Sequence, residues 1–353
     1  MPRILHASLR PNAGVLLVLG GSAVGGFGYR YWASSKDDAA AAESSTLHPL
    51  RFSHYAIAAK QPVSSTSTLF TLRARDAAAA ATQNLQDTWT GGVWSVEAKQ
   101  PQLQIARAYT PLPPTDADAD ADADTPAQFR FLIRRERGGE VSNYLHRLPD
   151  GATVELRGPH AELALPEGVS EVLFLAGGTG IAPAMQVAAA LRRRGTGGAR
   201  MHILWANRRR EDCLGGRSDT VAAEAGWKRW LGWGRAAGKT EGGAVDGEKG
   251  VVVRELEAMK RRAAPGQQLG VDYFVDEEES FIQPAHVARH LQDASRSEAS
   301  RTPGSRLILI SGPDGFLDYW AGRKVWAEQG EVQGPLRGAL SKMDLKGWKV
   351  WKL

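Results

Sequence analysis

Several things that would make a function easy to recognise are missing from this sequence. Cys213 is its single cysteine among 353 residues, which excludes an intramolecular disulfide and a cysteine-rich zinc site. No metal-ligand set is expected. Neither paired catalytic carboxylates nor a Ser-His-Asp spacing is present, so nothing points to a hydrolase. The GxGxxG dinucleotide fingerprint is absent. Acidic residues are missing before Asp37, and only Pro11–Tyr29 escapes charge for long, which excludes a polytopic membrane protein. The net charge of +5 is scattered along the chain, and no nucleic-acid partner is expected. What is there is globular: 42% hydrophobic and 24% charged residues, with 39 Gly and 18 Pro, in a length that suits two domains.

The N-terminus has its own character. Pro11–Tyr29 is uncharged but contains six glycines, so it only just reaches the length and apolarity of a membrane-crossing helix. Arg3 and Arg10 precede it, and Tyr29, Tyr31 and Trp32 suit a membrane interface. An acid-free, arginine-bearing start running into such a span reads as a mitochondrial targeting signal with a single-pass anchor over 1–36. A secretory signal peptide or a poorly ordered tail are the alternatives. Residues 37–46, rich in Ala and Ser, read as a linker.

Beyond the linker, two hydrophobic periods divide the chain. From 47 to 166 the period is two, clearest at Phe129, Phe131 and Ile133, again at Thr153–Arg157, and in shorter runs at Leu69–Leu72 and Val93–Val96. That pattern predicts an antiparallel β-barrel or sandwich. Two insertions interrupt it: Asp76–Asp87, with five consecutive alanines, and Asp116–Asp124, whose five aspartates repel one another and read as solvated loop. From 167 to 353, continuous apolar runs at Val172–Ala176, Met201–Ala206, Val271–Val275 and Leu307–Ile310 alternate with helical patterns, which predicts a parallel α/β sheet. A glycine-rich insertion lies near 215–250. Beside it, Trp227, Trp230 and Trp233 recur at three-residue spacing; they either close a core or form an interfacial membrane helix.

Two glycine turns end strands of the α/β half. Gly177-Gly178-Thr179-Gly180 opens a helix whose first turn accepts Pro183, a place where backbone amides favour an anion. Ser311-Gly312-Pro313-Asp314-Gly315-Phe316 is the second. Turns at the strand ends of one parallel sheet open onto the same edge, where α/β sheets bind ligands. In the β half, Arg107, Tyr109 and Thr110 combine a guanidinium fork, an aromatic face and a hydroxyl. Glu140, Val141 and Ser142 mark a helix start able to hold a phosphate oxygen.

In this order, RAYTPL (Arg107–Leu112), GEVSNYL (Gly139–Leu145), VELRGP (Val154–Pro159), GGTGIAP (Gly177–Pro183), ANRRREDCL (Ala206–Leu214) and the Gly312-Pro313 loop resemble the ferredoxin-reductase-type flavoproteins. The NADH–cytochrome b5 reductase branch is the most similar. The resemblance implies an FAD-binding barrel over 47–166, an NAD(P)-binding domain over 167–353, and electron transfer from NADH or NADPH through FAD to a one-electron acceptor. It implies that Arg107 binds the FAD pyrophosphate, Tyr109 packs on the flavin or its ribityl chain, and Thr110 bonds near flavin N5. Glu140, Val141 and Ser142 would clamp the pyrophosphate. Thr179, between Gly178 and Gly180, would sit between flavin and nicotinamide, with Gly312, Pro313 and Phe316 flanking the latter. Thr110, Thr179 and Ser311 are the positions nearest the chemistry, and Trp348 or Trp351 would cover the flavin. The family cysteine is Ser311 here, its usual glycine is Ala161 preceded by His160, and Pro113 replaces a small polar residue. Arg208, Arg209 and Arg210 after Asn207 leave NADH and NADPH both open.

Anchor, signal and reductase core together resemble a fungal subgroup, the mitochondrial cytochrome c import or haem-attachment factors. That resemblance implies an inner-membrane protein facing the intermembrane space, which reduces haem iron and has apocytochrome c and its haem lyase as partners. A non-catalytic flavin-binding assembly factor is the alternative.

Overall fold

The computed structural model describes residues 47–75, 85–115, 128–195, 198–220, 248–264, 266–296, 305–328 and 330–353. The expected anchor, the linker, most of both insertions and the three tryptophans at 227, 230 and 233 lie outside them. Among the described residues, no helix is long and apolar enough to cross a membrane.

The N-terminal half is antiparallel. Its strands are β1 (Ser53–Pro62), β2 (Ser67–Ala74), β3 (Gly92–Gln100), β4 (Ile105–Tyr109), β5 (Gln128–Arg134) and β6 (Thr153–Ala164). They pair in the order β4-β3-β6-β1-β2-β5, and the edges β4 and β5 are joined by a bridge between Leu112 and Arg130. The period-two pattern explains the two faces of β5: Phe129, Phe131 and Ile133 enter the barrel core with Tyr55, Phe70 and Leu156, while Leu132 points to the other half. Two short helices, α1 (Gln86–Gly91) and α2 (Glu140–Arg147), attach to this sheet.

The second half is a parallel sheet of β7 (Glu171–Gly177), β8 (Arg200–Asn207), β9 (Gln268–Val275), β10 (Arg306–Ser311) and β13 (Trp348–Lys352), in the order β13-β10-β7-β8-β9. Between β10 and β13 lies a two-stranded ribbon of β11 (Val325–Ala327) and β12 (Gly330–Val332). Continuous apolar runs are required here because both faces are covered. Val172, Phe174 and Ala176 pack towards α3 (Ile181–Arg194) and α4 (Val251–Arg261). Leu173 and Leu175 pack towards α5 (Pro284–Arg296) and α6 (Asp314–Ala321). Leu69, Val93, Leu112 and Leu132 of the barrel join the α3-side core, so the two halves share buried apolar surface.

Trp348 and Trp351, expected to cover the flavin, are strand residues and are not among those lining the cleft between the two halves. They belong to β13, where Trp348 pairs with Arg306 at the start of β10, the edge opposite the glycine turns. Trp351 packs on the shared core and donates its indole N–H to the Glu162 carbonyl at 3.3 Å.

Candidate functional site

A cleft of about 230 Å³ opens between the halves. Arg107 and Tyr109 from β4, Glu140, Val141 and Ser142 from α2, and Thr179 from the first glycine turn all line it. Six of the expected residues therefore meet, although they span more than seventy positions of sequence. Arg107 leaves its guanidinium exposed, with Nη2 3.5 Å from a Glu140 carboxylate oxygen. Tyr109 is half-buried against the barrel core. Burial pushes its phenol pKa up, only partly opposed by Arg107, so the ring presents a neutral face.

No side chain caps the first-turn amides of α2, whose N-cap is Gly139. The Ser142 hydroxyl instead shapes the preceding turn, accepting from the Glu136 amide at 3.2 Å. A Cβ on Gly139 would lie 2.6 Å from that oxygen. The first-turn amides thus have no side-chain cap, and Glu140, Val141 and Ser142 line the cleft, an arrangement that suits an anion. At the other end of α2, Lys60 Nζ donates to the carbonyls of His146 and Leu148, both at 2.8 Å.

The glycine turn is held by close packing. Gly178 takes φ +54°, and its carbonyl accepts the Trp205 indole N–H at 2.9 Å. A Cβ on Gly180 would sit 2.3 Å from the Ser311 carbonyl oxygen, so the two glycine turns touch through their backbones. Gly312 approaches Gly177 in the same way, and Phe316 and Pro313 pack beside Gly177. Ser311, Gly312, Pro313 and Phe316 form this neighbouring cluster and are not among the residues lining the cleft. Pro183 is buried in the first turn of α3.

Thr110 follows β4 and is half-buried. The next residue, Pro111, is fixed from the other half: its carbonyl accepts from Gln186 Nε2 at 2.9 Å, while Gln186 Oε1 takes the Trp94 amide at 3.0 Å. Both turns of the site are thereby referred to α3.

Sequence reasoning overlooked Arg134. Its Nη2 lies 2.7 Å from Asp212 Oδ2, and the other Asp212 oxygen accepts from Ser64 Oγ at 2.7 Å. The period-two pattern did carry the signal, because Arg134 shares the face of β5 that Leu132 turns to the second half. Of the three arginines after Asn207, Arg210 is forked onto Glu278 and Arg209 onto Glu211 and Ser65. Asn207 is buried with neither amide atom hydrogen-bonded. Cys213 is fully buried, and burial pushes its thiol up to about 11.

Family models match at two places: an oxidoreductase FAD-binding domain over residues 55–164 and an oxidoreductase NAD-binding domain over 174–230. The chain carries ferredoxin-reductase-type FAD- and NAD-binding domains. The cytochrome c mitochondrial import factor of Saccharomyces cerevisiae is 34% identical over 87 residues, 23% of this chain and 24% of that protein. NADH-cytochrome b5 reductase 2 of Lodderomyces elongisporus is 24% identical over 237 residues, 66% of this chain and 63% of the reductase. The matched stretches thus span less than two thirds of either relative. A crystal structure of an intact type IV self-sufficient cytochrome P450 monooxygenase shares the fold, with a TM-score of 0.51 at 15% identity, over 86% of this chain and 28% of that one.

Proposed function

We propose that this chain is an NAD(P)H-dependent FAD oxidoreductase that passes electrons to a one-electron acceptor. The observation that carries this is the cleft, where an exposed guanidinium, uncapped helix amides and a neutral aromatic face lie beside Thr179. Those are the groups a phosphate-bearing aromatic cofactor needs. Arg107 and the amides of Glu140, Val141 and Ser142 would hold the FAD pyrophosphate, and Tyr109 would back its ring system. Bound FAD would supply hydride acceptance and single-electron release. Gly178 and Gly180 keep the turn free of side chains, so that Thr179 stands between the two halves. The touching Ser311–Phe316 loop forms the adjoining nicotinamide wall. Arg209 and Arg210 are paired with carboxylates at the surface, and exposed Arg208 beside them suits a 2′-phosphate, so either NADH or NADPH would serve as donor.

The finer reading is an N-terminally anchored protein of the mitochondrial inner membrane, facing the intermembrane space, with haem iron as acceptor during cytochrome c maturation. Its support is the Arg3–Trp32 segment and the likeness to the yeast import factor. The test is an anaerobic absorbance spectrum of the purified chain before and after NADH or NADPH. A yellow protein that bleaches with at least one of the two nucleotides is expected. A colourless protein refutes the proposal, and a yellow one that neither nucleotide bleaches establishes the non-catalytic assembly factor instead.

A further inference from the structure

The α5 face of the parallel sheet is apolar in its middle, carrying Leu173, Leu175, Leu204, Phe274, Ile308 and Ile310. Two strand positions on that face break the pattern. His202 stands two residues before Leu204 in β8, and Asp272 two residues before Phe274 in β9, so alternation turns both towards α5. From α5 itself comes His290, whose ring centroid lies 4.0 Å from that of His202. His202 Nε2 is 3.0 Å from Asp272 Oδ2, and the three potential ligand atoms all lie within 4.8 Å of one another. Among the described residues this is the one such grouping.

We propose that His202, Asp272 and His290 bind one divalent transition-metal cation of the zinc class. Two imidazoles and a carboxylate are a common three-residue donor set, and they leave a fourth position for water or a small anion. Donor atoms around a tetrahedral zinc with bonds of about 2.0–2.2 Å are roughly 3.3 Å apart. The His202–Asp272 pair is already near that spacing, and the His290 ligand atom lies within 4.8 Å of both. The carboxylate is oriented as ligating carboxylates are: Thr220 donates its amide to Oδ1 at 2.9 Å and its hydroxyl to Oδ2 at 2.6 Å. Close packing positions His202 too, since a Cβ on Gly270 would lie 2.4 Å from its Nδ1. The fourth position has room, because His202 and His290 line a cavity of about 370 Å³. Its other walls come from the opening residues of β7, β8 and β9 together with Asp219, Lys260, Asp293 and Trp348, towards the edge of the sheet opposite the glycine turns. A cation there would tie β8, β9 and α5 together without touching the cleft.

The full chain, loaded with zinc and dialysed into metal-free buffer, should retain about one zinc per chain by mass spectrometry, and zinc should raise its Tm. His202→Ala and His290→Ala should each lose the zinc and the Tm response while keeping their flavin. His54→Ala, which alters a histidine outside the set, should retain both. X-ray absorption on the zinc-loaded parent requires no variant and should show two imidazoles and oxygen neighbours. A parent that retains no zinc, a zinc content unmoved by His290→Ala, or a shell without two imidazoles would each overturn the proposal.

Discussion

Arg107, on β4, holds an exposed guanidinium at the cleft, and its role is the easiest to isolate. Its replacement by alanine removes charge-assisted donors worth about 1.5–3 kcal/mol each, so Arg107→Ala should weaken FAD binding by about ten- to a hundredfold, read by flavin fluorescence during dialysis. Unchanged retention would take the pyrophosphate away from this strand. Gly180 tests packing rather than binding. With backbone only 2.3 Å from the position of a Cβ, Gly180→Ala must push β10 and the turn apart, and overpacking of this kind costs about 1–3 kcal/mol. A lowered Tm is expected; an unchanged one would mean that the turns do not touch. Cys213, with its thiol raised by burial to about 11, stays protonated at neutral pH. It should resist a thiol reagent in the native chain and react once the chain is unfolded.

Among the elements, α2 joins the site to the pH of its surroundings. His146 hydrogen-bonds through Nδ1 to the Ser142 carbonyl at 2.8 Å, but its Nε2 is buried without a partner. Burial lowers its pKa, with Lys60 and Arg135 adding to the effect against the Ser142 bond. A histidine held below its unfolded value of about 6.5 takes up protons on unfolding as pH falls. Stability should therefore decline below about pH 6.5, and the decline should be shallower in His146→Phe, measured by urea melts from pH 7.5 to 5. β5 supplies two nearly buried electrostatic ties to the other half, Arg130 to Glu255 and Arg134 to Asp212. Asp212→Ala strands the guanidinium, and losing one partner of a buried pair costs about 3–5 kcal/mol; Arg134→Met in the same chain should recover part of the lost Tm. Element by element, legibility followed periodicity. β5 and β7 stand where alternation and continuous apolarity put them, whereas β13 was missed because Trp-Lys-Val-Trp-Lys reads as surface. As an edge strand it buries only part of itself, and Lys352 folds its amine onto the Arg323 carbonyl at 3.0 Å. Of the candidate site, six of the residues that line the cleft were named from the sequence but its contacts were not: the hydrogen bonds of Arg134 and Gln186 span 78 and 75 positions, where local spacing carries no information.

For the molecule as a whole, the shared core and the polar ties between halves predict a single cooperative transition. Calorimetric and van't Hoff enthalpies should agree, and two separated transitions would show that the halves fold as independent units. The division into two periods was visible in the sequence; the manner of their joining was not, since it depends on side chains meeting backbone far away. Arg194, the last residue of α3, is the clearest case. Its guanidinium takes the carbonyls of Thr90, Gly91, Leu165 and Pro166 at 2.7, 2.9, 2.9 and 3.0 Å. Two of these belong to the segment that leads from one half into the other. A pivot clasped in this way has little freedom to swing, so the aperture between the halves is set before anything enters it. Nucleotide capture should then be a simple encounter, its observed rate climbing in proportion to concentration with no plateau from a slow opening step.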